Sequence, residues 1–257
     1  MVADRDPVIV SAVRTPTGRF LGALASFSAT ELGAFAVRAA LERSGAPANR
    51  LDEVIMGNVV SAGEGQAPAR QAELGAGVPD DIPAVTVNLV CGSGLKAVML
   101  AAQAIKAGDG DLYIAGGMES MSNAPYLLPK ARTGFRMGDA AAVDSVVHDG
   151  LWCAIEHVHM GEEAEIIAER YDISREAQDE FAYHSHMRAQ EATEAGRFRD
   201  EIVPIEVPGK RGVTVVSVDE PIRPDTTLEA LRSLRPTFRA GGTVTAGNAP
   251  GLSDGAS

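Results

Sequence analysis

Residues 88–105 read NLVCGSGLKAVMLAAQAI: an apolar run, one cysteine, two glycines, then an alanine-rich helical pattern. An apolar run that breaks at glycine-spaced residues and resumes with helical spacing reads as a strand turning sharply into a helix. If the strand ends at Val90 and the helix begins near Gly92, Cys91 sits where unpaired backbone N–H groups and the positive end of the helix dipole converge. Such a setting lowers a thiol pKa from its ordinary value of about 8.5, and the thiolate is the nucleophile. The same N–H groups can hold an oxyanion on an attacked carbonyl. Gly92 and Gly94 clear side chains from the approach. A small buried hydrophobe would fit the position as well, because free cysteine is among the most buried residue types. Spacing alone leaves both readings open.

Working outward, strands alternate with helices. PVIVSAV (7–13) and LDEVIMGNVV (51–60) are β-branched apolar runs. Between them a helix is expected that carries Leu32, Phe35, Ala36, Ala39 and Ala40 on one face and stops at Gly45. SAGEGQ leads into a short helix over 67–74, and PAVTVNLV (83–90) is expected as a strand buried on both faces in a sheet interior. From Gly92 to Gly108, Leu95, Val98, Met99, Ala102 and Ile105 repeat at helical spacing, and DLYIAGG (111–117) is a further buried strand. The first 117 residues thus read as a doubly wound α/β core. After Met118 periodicity is lost in a surface excursion containing Lys130, Arg132 and Arg136. Two helices follow, the second from the N-cap Ser174 to Gly196, and then a hairpin of IVPIEV and VTVVSV around PGKRG. The expected division is 1–117 as core, 118–240 as an inserted loop subdomain and 241–257 as a return to the core.

The chain has 257 residues and a formal charge of -12. That charge argues against nucleic acid as a partner, since phosphate contacts supply most of such affinity. No run reaches the length of a membrane-spanning helix and the first residues lack the pattern of a secretion signal, so no membrane partner and a cytoplasmic location are expected. Two cysteines, Cys91 and Cys153, are too few for a disulfide framework and lack metal-ligand spacing. Cys153, beside Trp152 in an apolar stretch, reads as a buried inert thiol. His157 with His159 has no third metal ligand in reach, and His184 with His186 lie on different sides of their helix. GSGLKA also fits the dinucleotide pattern G-x-G-x-x-A, with Glu119 near where a ribose-binding acid would sit. Against a nicotinamide domain, that fingerprint usually opens the first β-α-β unit, and here two strands precede it.

VCGSGLKAVMLAAQAI with Cys91, GGMESMSNAPY, RMGD, HMG at His159 to Gly161, and GTVTAGNAPGLSDGA follow one another in an order that resembles the thiolase family, the acetyl-CoA acetyltransferases in particular. The resemblance implies an α/β thiolase-like fold, its N-terminal half with layered sheet and helices plus an inserted loop subdomain. It implies acyl transfer between coenzyme A thioesters, with Cys91 as the acylated cysteine. His159 and Met160 match a stretch that lines the substrate and pantetheine pocket, and Leu151, Arg223 and Ala246 match positions that contact coenzyme A. No cofactor is implied, because the coenzyme A thioester is itself the substrate; acyl-CoA, coenzyme A and further copies of the chain are the implied partners.

The chain also departs from the family pattern. Asn248-Ala249-Pro250-Gly251 stands where N-A-S-G is common, and proline supplies neither a hydroxyl nor a backbone donor for a pantetheine contact. Glu163-Ala164-Glu165-Ile166 stands where T-A-E-N is frequent. The family's second half carries a histidine in a G-H-P motif and a cysteine in a C-x-G motif, and neither motif occurs here. The expectation is an N-terminal portion, inactive alone, that works with a second-half polypeptide; a noncatalytic acyl-CoA-binding or partner-binding module is the alternative.

Overall fold

The computed structural model describes residues 5–210 and 212–257. Contacts gather the chain into two compact units, one of residues up to Ser145 with Asp200–Glu220 and Ser253–Ser257, the other of Val146–Arg199 and Pro221–Leu252. This division differs from the expected one: the excursion after Met118 and the 205–216 hairpin belong with the core.

In the first unit the elements are β1 (Gly18–Arg19), α1 (Ala29–Ser44), β2 (Glu53–Gly57), α2 (Pro68–Gly75), β3 (Ala84–Val87), α3 (Ser93–Ala107), β4 (Tyr113–Ser120), β5 (Tyr126–Leu127), β6 (Val143–Asp144), β7 (Ile205–Gly209), β8 (Gly212–Val216) and β9 (Ser253–Ala256). The main sheet has the order β1-β9-β4-β2-β3, with β2 parallel to β3 and β4, and β9 antiparallel to β4 and β1. β7 and β8 form the expected hairpin, Ile205 opposite Val216; of the PGKRG stretch, Arg211 lies outside the described residues, as do residues 1–4.

α1 forms where the sequence places it. Ser28 and Glu31 make a reciprocal capping box, and Gly45 ends the helix at φ 66°, a conformation glycine adopts without strain. Its face of Leu32, Ala36 and Val37 packs with α2 and with Val54, Met56 and Met118 of the sheet. Ile55 points the other way, to Ala97 and Ala101 of α3. Helices therefore cover both faces. Full burial of side chains such as Leu24, Leu32 and Met56 contributes about 1.5–3 kcal/mol each.

Two expectations fail. Residues 7–13 form no strand, and Val8, Ile9 and Val10 are 78%, 81% and 64% exposed. That β-branched run is left without a ladder. The 83–90 run is not interior. Only Ala84–Val87 is a strand, and it is the sheet edge, with Val85 39% exposed. On α3, Leu95, Val98 and Met99 are exposed, while the small Ala97 and Ala101 let the helix lie close to β2 and β4.

The second unit contains α4 (Met160–Arg170), α5 (Arg175–Glu194) and α6 (Leu228–Ser233), preceded by a π-helical turn over Val146–Leu151. Ser174 caps α5 as expected, its side chain accepting from the Ala177 amide. Glu165 of α4 is buried and accepts from the Thr243 and Val244 amides, while Asn248 bridges Asp179 of α5 and the Thr243 carbonyl. No helix among the described residues is long and apolar enough to cross a membrane.

Candidate active site

The turn between β3 and α3 is built residue by residue around Cys91. Val90 stands at φ 48°, a left-handed conformation unusual for a β-branched residue, which swings the chain away from the strand direction. Ser93, 4% exposed, fixes the turn: its hydroxyl accepts from the Leu89 amide at 2.8 Å and donates to the Val90 carbonyl at 2.6 Å. The Gly92 and Ser93 amides are used within the turn, on the Leu89 and Val90 carbonyls. Intrahelical pairing of α3 starts with the Lys96 amide on the Gly92 carbonyl, so the Gly94 and Leu95 amides belong to the unpaired first turn of the helix.

Cys91 is exposed at the head of α3. It lines an open cavity of about 390 Å³ with Ser93, Gly94, Asn58, Gly117 and Glu119, in which Arg14 and Thr15 also take part. Close approach of backbones makes this arrangement possible. A Cβ on Gly57, at the end of β2, would lie 2.6 Å from Cβ of Ser93, and one on Gly117 would lie 3.4 Å from Cα of Gly94. The helix N-terminus is thus set directly on the carboxyl ends of β2 and β4, where open α/β sheets place their ligand sites. An exposed thiol beside amides without helical partners can attack a carbonyl and have the resulting oxyanion stabilised.

Glu119 has another task than the ribose-binding one. Its Oε2 accepts from the Val59 amide at 2.9 Å and its Oε1 from the Val60 amide at 3.2 Å and the Asn58 side chain at 3.1 Å. Burial nevertheless holds its carboxyl above the ordinary range, against the pull of those two amides. With both oxygens committed to the chain itself, the dinucleotide reading loses its acid.

The other expected site residues all lie in the second unit, whereas Cys91 lies in the first. His159 is the N-cap of α4; its Nδ1 accepts from the Gly161 amide at 3.0 Å, which places the proton of the neutral ring on Nε2. Its ring stacks on Phe238 with centroids 4.9 Å apart. A Cβ on Gly161 would lie 2.3 Å from that phenyl ring, so the HMG stretch packs as a unit with Phe238. Met160 is 37% exposed, and Leu151 ends the π-helical turn half-buried. Arg223 is exposed on a turn whose amide donates to His186 Nδ1 at 3.2 Å, and Ala246 is exposed in the loop ordered by Asn248. Cys153 is half-buried rather than buried, because it sits in the tight turn bridged between Trp152 and His159, where its Sγ accepts from the Glu156 amide. No cluster of three or more potential metal ligands occurs among the described residues.

Ser93 and Asn58 escaped the sequence reading. Both sit beside glycines in the quoted motifs, but a buried serine that hydrogen-bonds within its own turn, or an asparagine that donates to Met118 and Glu119 of β4, has no periodicity to betray it.

Residues 7–257 match the family described as thiolase, N-terminal domain. The chain belongs to the thiolase family. It is 54% identical over 252 residues to an acetyl-CoA acetyltransferase of Cupriavidus necator, covering 98% of this chain and 64% of that one. An acetyl-CoA acetyltransferase of Pseudomonas aeruginosa is likewise 54% identical, over 253 residues. A probable acetyl-CoA acyltransferase of Staphylococcus epidermidis is 51% identical over 250 residues. The chain spans 64% of the length of these curated relatives.

Proposed function

We propose that this chain is the nucleophile-bearing part of a thiolase-type acyltransferase, which moves acetyl or acyl groups between coenzyme A thioesters through an acyl-cysteine at Cys91. The observation that supports it best is the exposed Cys91 at the head of α3, facing a cavity set on the carboxyl ends of β2 and β4. In this reading the thiolate attacks the thioester carbonyl, the amides of the first helical turn hold the oxyanion, and the carbon–sulfur bond breaks to release coenzyme A as its thiolate. His159, Met160, Leu151 and Ala246 contact the pantetheine and acyl parts, and the exposed Arg223 cation meets a phosphate of coenzyme A. No cofactor is required.

The second step needs a base to activate the incoming thiol or carbon nucleophile and an acid to return the proton. Residues 1–257 contain neither the G-H-P nor the C-x-G motif, so in this reading those groups come from the second half of a thiolase, whether on the same or a separate polypeptide, in a cytoplasmic assembly serving lipid metabolism. Copies of the chain associate through the apolar surface of Leu95, Val98 and Met99 beside the open edge of β3. The test is thiolysis of acetoacetyl-CoA by the purified chain, with and without a relative's second half supplied in trans, and with Cys91→Ala as control. Turnover only in the complemented sample, abolished by Cys91→Ala, supports the reading. Robust Cys91-dependent turnover by the chain alone would contradict it.

A further inference from the structure

The loop from Asn58 to Gln66 leads from β2 to α2, and through Asn58 and Val59 it forms one wall of the Cys91 cavity. Two carboxyl groups meet at its base. Glu119, from β4, holds the start of the loop through the Val59 and Val60 amides and the Asn58 side chain. Glu64, from the far side of the loop, approaches the same side-chain amide, with Asn58 Nδ2 at 3.5 Å from its Oε1. That nitrogen has two hydrogens, and the Met118 carbonyl at 3.3 Å and Glu119 at 3.1 Å already receive them. Glu64 Oε2 and Asn58 Oδ1 are both buried without a hydrogen bond among the described residues, and Asn58 as a whole is 2% exposed.

An ionised Glu64 would place a second negative charge beside Glu119, and none of its salt-bridge or hydrogen-bond partners among the described residues is a cation. Gln71, on α2, is neutral and donates to the Glu64 and Gln66 carbonyls, and Arg70 is committed to Glu73 and to the Ile82 and Asp80 carbonyls. A neutral Glu64 removes that charge and adds an O–H donor to a cluster whose Asn58 Oδ1 has none.

We propose that Glu64 and Glu119 hold one proton between them, carried on Glu64, and that this proton latches the Asn58–Gln66 loop against β4 as a wall of the Cys91 cavity. Burial first, and the Glu119 charge second, push the Glu64 carboxyl up to about 7, while the Asn58 contact pulls it down. The latch is therefore closed below neutrality and opens as pH rises through that value, when Glu64 ionises, is repelled by Glu119 and moves toward water. The sign follows from linkage: a carboxyl whose pKa is raised by folding contributes stability that is fully present below its ordinary value of 4.5 and is lost as pH rises through about 7. Glu64 acts through the loop on the space before Cys91, so it is a positioning residue, and its action does not depend on acyl transfer.

Two measurements on the full chain test this. Infrared difference spectroscopy should show a carboxylic C=O band that disappears with a midpoint near 7, is absent in Glu64→Gln and shifts to lower pH in Glu119→Gln. The second is the ratio of Cys91 alkylation rates, wild type over Glu64→Gln, which cancels the titration of the thiol itself. It should lie near unity at about pH 5.5 and depart from it by about threefold or more at about pH 8.5, as the wild-type loop opens and the glutamine variant does not. A neutral-range band that persists in Glu64→Gln, or a ratio that stays flat across this range, overturns the proposal. If Glu64→Gln does not fold, the wild-type titration and the Glu119→Gln shift decide alone, and the absence of any carboxylic band titrating near neutrality overturns it.

Discussion

Ser93 holds Leu89 across the turn that presents Cys91: the Leu89 amide donates to the Ser93 hydroxyl at 2.8 Å, and that hydroxyl donates onward to the Val90 carbonyl at 2.6 Å. One buried side chain thus links the end of the strand to the start of α3 on either side of the thiol. Ser93→Ala removes both bonds and is expected to cost about 1–3 kcal/mol, the range for buried backbone groups left unpaired. Urea unfolding of the variant should show a lowered midpoint with an unchanged slope. Brief iodoacetamide labelling should show a reduced preference for Cys91 over Cys153.

That preference is itself a prediction for the wild-type chain. Cys91 is exposed at a helix head, while the half-buried Cys153 accepts a hydrogen bond from the Glu156 amide in its turn. Peptide mapping after a short pulse of reagent should find Cys91 modified first. Equal labelling would deny the thiol its privileged setting.

Gly57 sets the height of α3 above the sheet. A methyl group there would meet Cβ of Ser93 at 2.6 Å and the Ser93 carbonyl carbon at 2.7 Å, atoms that cannot yield without moving the helix. Gly57→Ala should destabilise the chain by about 1–3 kcal/mol, as overpacking does. Thermal unfolding measures the loss, and altered Cys91 labelling would report the shifted helix head.

His159 has a capping and a stacking part that can be separated. His159→Ala loses both and should cost about 1–2 kcal/mol, while His159→Asn keeps a side-chain acceptor for the Gly161 amide and should lose only the contact with Phe238. Unfolding midpoints in the order wild type, His159→Asn, His159→Ala support this division, and identical midpoints for the two variants count against the cap.

The sequence showed most of the scaffold. α1 was legible from the helical spacing of Leu32, Phe35 and Ala36 and the stop at Gly45, α5 from Ser174, and the β7–β8 hairpin from alternating β-branched residues, because each depends on local signals. The placement of β3 and of residues 7–13 was not. Val85 read as interior and Ile9 as part of a strand because apolar periodicity records which side chains avoid water, and it is silent on which neighbour covers or pairs with them. Cys91 was visible through its strand-to-helix spacing. The anchors Ser93, Asn58 and Glu119 act through long-range or turn-local hydrogen bonds, which leave no pattern in the chain.

Acid should loosen the turn that carries Arg223. Burial first, and the Arg223 charge second, hold the His186 pKa below its usual value, and the neutral ring accepts from the Arg223 amide. Unfolding then takes up a proton between the lowered folded value and the ordinary 6.5. His186 therefore contributes stability that is present above that value and is lost as pH falls through the folded one. His186→Gln, which cannot take the proton, should show a flatter decline in stability over this interval. An unchanged slope would remove His186 from the account.

The account rests on Cys91 as the acylated nucleophile, and the most direct measurement is the site of acylation. The chain, complemented by a relative's second half, is incubated with acetyl-CoA, quenched in acid and mapped by peptide mass spectrometry. The account predicts one acetyl group on Cys91, none on Cys153, and its disappearance on addition of free coenzyme A. Turnover with Cys91 unmodified, or turnover retained by Cys91→Ala, would contradict it.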